Sequence, residues 1–61
     1  MHTYKQTQEI YRDLKGMSDK ADFVTEEAIK NDLGEKAFNS LRYHGFIEYC
    51  GTLNNRRMYA I

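Results

Sequence analysis

The stretch Glu35–Ile47, EKAFNSLRYHGFI, decides the fold. Ala37, Phe38 and Leu41 fall at i, i+1 and i+4, so they share one side of a helix. Lys36, Asn39 and Tyr43 lie on the opposite side, flanked by Glu35, Ser40 and Arg42. Gly45 ends the helix near His44, because glycine takes the left-handed conformation without a Cβ penalty. Phe46 and Ile47 then read as the start of a strand. The spacing predicts a short helix over 35–44 that docks by one face and leaves a hydrogen-bonding face open.

Working upstream, Thr3 or Thr7 can cap a first helix running to about Lys15. Ile10, Leu14 and Met17 form an i, i+4, i+7 row with Tyr4 and Tyr11 beside it, and the row reads as core. Gly16 stands where that helix should end or fray. Residues 17–22 read as a loop and Phe23-Val24 as a brief strand. Thr25 suits an N-cap, with Glu26 and Glu27 in the first turn where the helix dipole favours acids. Ala28, Ile29 and Leu33 make the buried face of this second helix, which Gly34 closes.

Downstream, 46–50 and 57–61 are two β-like runs around Gly51-Thr52-Leu53-Asn54-Asn55-Arg56. Glycine and paired asparagines tolerate positive φ, so the segment reads as a hairpin with a polar tip. Ile47 and Tyr49 share a strand face, as do Tyr59 and Ile61, and all four are expected to lean toward the helices. Arg57 can pair with Glu48 across the hairpin.

Sixty-one residues make one domain, 1–61, with a thin stability margin. The formal charge is zero, which argues against a strongly cationic DNA coat. It is unevenly placed: residues 1–34 carry five cations against seven acids, and residues 35–61 carry four cations against two acids. A basic C-terminal half can still offer one positive surface to a polyanion. Cys50 is the single cysteine, so no intramolecular disulfide forms, and no apolar run approaches the length of a membrane span. A reducing cytoplasm, of a cell or of an infected host, is the expected location.

The expected class is mainly α with a small β-hairpin, in the order α-β-α-α-β-β. That order, with L-x-x-x-G-F-I at Leu41–Ile47 followed by a hairpin ending in R-R-M-Y-A-I, resembles the winged helix-turn-helix superfamily of DNA-binding domains. The resemblance implies a three-helix winged helix-turn-helix. Its third helix would offer Lys36, Asn39, Ser40, Arg42 and Tyr43 to a major groove. Its wing, with Asn54, Asn55, Arg56 and Arg57, would ride on phosphates. The implied partner is double-stranded DNA, and the implied role is transcription regulation or an accessory function. Four cations on the whole face predict weak binding by a single copy, and hence a homodimer or cooperative loading. The economy of a chain that is all recognition domain looks like that of a viral, phage or plasmid regulator.

Enzymatic chemistry is not expected. No Ser or Cys has a plausible base and orienter, and there is no Gly-rich phosphate loop. His2, His44 and Cys50 lack metal-ligand spacing, so no metal or other cofactor is expected, nor a small-molecule ligand. His44 suits the carbonyl end of its helix. The rival class is a protein-interaction module of the same fold, such as an inhibitor or adaptor of a nucleic-acid enzyme. Tyr4, Tyr11 and Tyr43 would then be its anchors.

Overall fold

A computed structural model describes residues 2–18 and 21–61. Its elements follow the expected order: α1 (Tyr4–Ser18), β1 (Phe23–Thr25), α2 (Glu26–Leu33), α3 (Glu35–Tyr43), β2 (Glu48–Leu53) and β3 (Arg56–Ala60). The strands form one antiparallel sheet in the order β1-β3-β2. The molecule is therefore mixed α/β, because β1 joins the hairpin rather than standing alone.

Local chemistry sets most boundaries. At the start of α1, the Gln6 amide donates to Thr3 Oγ1 at 3.1 Å and the Thr3 amide donates to Gln6 Oε1 at 3.0 Å. This reciprocal capping box satisfies two donors that the helix cannot. Thr7 is instead fully buried, its hydroxyl donating to the Thr3 carbonyl at 2.7 Å. The helix passes through Gly16 and includes Met17 and Ser18, which corrects the expected end near Lys15. It overruns the core it packs on, so Met17 projects into solvent instead of completing the apolar row. Of the expected loop, Asp19 and Lys20 lie outside the described residues.

Thr25 caps α2 through a hydrogen bond from the Ala28 amide to its Oγ1 at 3.1 Å. Gly34 alone joins α2 to α3, at φ 93° and ψ 160°, a region open essentially to glycine. Its amide closes α2 on the Lys30 carbonyl, and its carbonyl accepts from the Phe38 amide to open α3. At the other end Gly45 has φ 78°. The Phe46 amide donates to the Leu41 carbonyl and the Gly45 amide to the Arg42 carbonyl, a Schellman ending. Phe46 and Ile47 are spent on that turn, so β2 starts at Glu48, two residues later than the spacing predicts. The hairpin tip is tighter than expected. Asn54 (φ 53°) and Asn55 (φ 64°) alone turn the chain, the backbone of a type I′ loop.

Leu14, Ile29, Phe38, Leu41, Ile47 and Tyr59 form the core, with Ile10, Tyr11, Val24, Leu33, Phe46 and Ile61 packed around it. Helix α2 covers β1 and β3, which leaves β2 at the rim. Tyr49 is consequently half exposed, although it lies opposite buried Tyr59, and does not reach the helices as expected. Between Tyr49 and Gly51 the register shifts, leaving Cys50 as a bulge.

Candidate nucleic-acid interface

Helix α3 presents Lys36, Asn39, Arg42 and Tyr43 to solvent while Ala37, Phe38 and Leu41 are buried beneath them. Tyr43 is 71% exposed, a large aromatic ring left in solvent. Ser40 is a correction to the expected face. It is fully buried, donating to the Lys36 carbonyl at 3.0 Å and accepting from the His2 amide at 3.1 Å. The physical reason is its place three residues after Ala37, on the docked side. It serves to tie the N-terminal segment to α3.

Arg42 is held over two packed rings. Its guanidinium carbon lies 5.8 Å from the centroids of both Phe38 and Tyr59. Those rings meet edge to face at 5.1 Å, so the cation rests on a rigid base. No carboxylate pairs with Arg42 among the described residues.

The hairpin places Asn54, Asn55, Arg56 and Arg57 at the surface, as the resemblance implies. The two arginines are not free, however. Arg56 Nε lies 3.4 Å from Glu27 Oε2, and Arg57 lies 3.6 Å from Glu26 Oε1. Pairing of Arg57 with Glu48 is excluded by register, because Thr52 stands opposite Arg57 and Glu48 opposite Ala60. Glu26 also takes Lys30 on Oε2 at 3.2 Å and the Tyr59 hydroxyl on Oε1 at 3.4 Å. Burial pushes its carboxyl up, but Lys30, Arg57 and the Tyr59 hydroxyl outweigh that and hold it below the ordinary glutamate range. The acids Glu26 and Glu27 thus stitch the start of α2 to the hairpin.

Two clefts run along this side. One, of about 530 Å³, lies between α2 and the hairpin tip and is lined by Glu26, Glu27, Lys30, Asn55, Arg56 and Arg57 among others. The second, about 330 Å³, is lined by Arg42, Tyr49, Arg57 and Tyr59. Arg57 borders both, so the outer face of α3 and the hairpin meet in one surface. Glu26, Glu27, Lys30 and Tyr49 belong to it and were not expected there. The i, i+4 spacing of Glu26 and Lys30 was a visible signal; the crossing to Arg57 was not.

At the far end of α3, aromatic rings run in sequence. Tyr43 meets His44 at 5.0 Å, His44 meets Tyr4 at 5.6 Å, Tyr4 meets Phe46 at 5.1 Å, and Phe46 stacks on Tyr11 at 5.2 Å. His44 also donates from Nε2 to the His2 carbonyl at 3.1 Å, a structural use, though with the N-terminal segment rather than the carbonyl end of its own helix as expected.

Among the described residues no helix is long and apolar enough to cross a membrane, and no three His, Cys, Asp or Glu residues gather as metal ligands would. No family model matches the chain, and no curated protein or solved structure is similar enough to count as a match.

Proposed function

We propose that the protein is a small winged helix-turn-helix domain that binds double-stranded DNA and serves as a transcription regulator or accessory factor. One observation carries this reading: exposed Arg42 of α3 and Arg57 of the hairpin line a single cleft, and α3 also exposes Lys36, Asn39 and Tyr43. A reader of duplex DNA needs side chains that match base edges next to cations that meet phosphates. Asn39 suits adenine by paired hydrogen bonds, while Arg42 stands with Arg57 among the cations that meet phosphate. The nine residues of α3 span roughly 13 Å, about the width of a major groove. The element order is the one the family resemblance implies.

With Lys36, Arg42, Arg56 and Arg57 as the cations, one copy meets few phosphates, so two copies on a symmetric site form the working unit. The test is a titration of random duplex DNA at several salt concentrations. We expect log affinity to fall against log salt with a slope of about −3 to −4 per copy, the value for three or four phosphate contacts. Arg56→Ala should weaken binding to every sequence and lower that slope by about one. No binding at low salt would overturn the proposal.

A second reading has its own support. The run from Tyr43 through His44, Tyr4 and Phe46 to Tyr11 is an amphipathic aromatic strip of the kind that anchors protein partners. If DNA fails to bind, replacing Tyr4 and Tyr43 and assaying partner inhibition becomes the experiment of choice.

A further inference from the structure

Arg42 and Arg57 come from different elements and line the same cleft, with Tyr49 and Tyr59 completing it. Arg42 is fixed from below by two rings and lacks a carboxylate among the described residues. Arg57 has one, but at 3.6 Å, longer than a good charge-assisted hydrogen bond. The carboxylate it touches stays satisfied without it, since Lys30 holds Oε2 and the Tyr59 hydroxyl reaches Oε1. Exchange of Arg57 onto another anion is therefore cheap. The surrounding charge favours that exchange: among the described residues lining the two clefts, the cations are Lys30, Arg42, Arg56 and Arg57 and the acids Glu26 and Glu27. Tyr49 is half exposed at the rim, with its hydroxyl sharing a 2.8 Å hydrogen bond with Thr52 Oγ1, so its ring is steadied as a wall.

We propose that this cleft is a phosphate seat, in which Arg42 and Arg57 grip one phosphate, Tyr49 forms its exposed wall, and Glu26 is the internal anion that the phosphate displaces from Arg57. It rests on the DNA proposal only for the source of the phosphate, the backbone of a duplex. Tyr49 thereby gains a role that neither the helix nor the hairpin tip supplies.

The experiment follows the side-chain Nε–H signals of Arg42 and Arg57 by NMR while random duplex DNA, and separately inorganic pyrophosphate, is added to the intact protein. Both signals should move together and saturate at the same ligand concentration. Arg42→Met keeps the packed stem without the charge and should weaken binding and reduce the salt slope by up to about one, the full share of a phosphate being lost only if Arg57 alone does not hold it. Tyr49→Ala should weaken binding without changing the slope. Glu26→Gln removes the competitor and should tighten DNA about fivefold at low salt, the worth of one surface ion pair. Unchanged binding and slope in Arg42→Met, or weaker binding in folded Glu26→Gln, would overturn the seat. If duplex DNA does not bind at all, the pyrophosphate titration decides alone. Shifts confined to the two arginines sustain the seat while the DNA proposal falls, and no shift removes both.

Discussion

Arg57 on β3 reaches the carboxylate of Glu26, the first residue of α2, at 3.6 Å. This ion pair joins the hairpin to the helix that precedes the exposed α3. The hairpin arginines are thus part of the fold before they are part of any interface, and their surface charge is set by acids on another element.

Acid should loosen that joint. The Glu26 carboxyl is held below its ordinary range in the folded chain, so its stabilisation is complete above the unfolded glutamate value and fades as pH falls through the lower folded value. Its partners are partly exposed, so the loss is up to about 1 kcal/mol. Thermal unfolding at pH 7 and near pH 3 should show it, and Glu26→Gln should flatten that part of the difference. An equal acid loss in both proteins would assign the effect to other carboxylates.

Ser40→Ala should cost stability and spare binding. It removes the hydroxyl that accepts from the His2 amide and donates to the Lys36 carbonyl, worth about 1 kcal/mol. Urea unfolding measures the cost. A changed DNA affinity in the folded variant would place Ser40 at the interface after all.

Gly16→Ala should stabilise. Gly16 is helical, and a Cβ built there meets nothing within 4 Å. Alanine is favoured over glycine in a helix by roughly 0.5–1 kcal/mol, which in a domain this small raises Tm by several degrees. A lower Tm would mean that α1 does not run through residue 16.

Asn55→Gly should also stabilise, by a smaller margin. Asn54 and Asn55 both hold positive φ, and Asn-Gly is the preferred pair for this two-residue turn. Melting of Asn55→Gly against Asn55→Val gives the sign directly, since a β-branched residue is strained there and should melt lower.

What was legible in the sequence acts over short range. Thr25 caps the residue three ahead of it, Gly45 ends the helix it follows, and the two asparagines turn the chain at their own positions. The order of elements followed from such signals. What was hidden depends on distant partners. Ser40 is buried partly by His2, which lies 38 residues away in the chain. Arg57 turns to Glu26 because register denies it Glu48. Tyr49 stays open because the strand order puts β2 outside the cover of α2, and strand alternation alone does not reveal which strand is outermost. The polar face of α3 was readable except at Ser40, where a small hydroxyl residue passes for either side.

The displaced Cys50 has a bearing on how these molecules behave at high concentration. β2 is a rim strand whose outer backbone groups could serve as a template for another chain. The extra residue between Tyr49 and Gly51 breaks the regular repeat that such zipping requires. Exposed Leu53 lies on the same strand, so the misfit at Cys50 interrupts the edge along which a second chain would otherwise pair beside it.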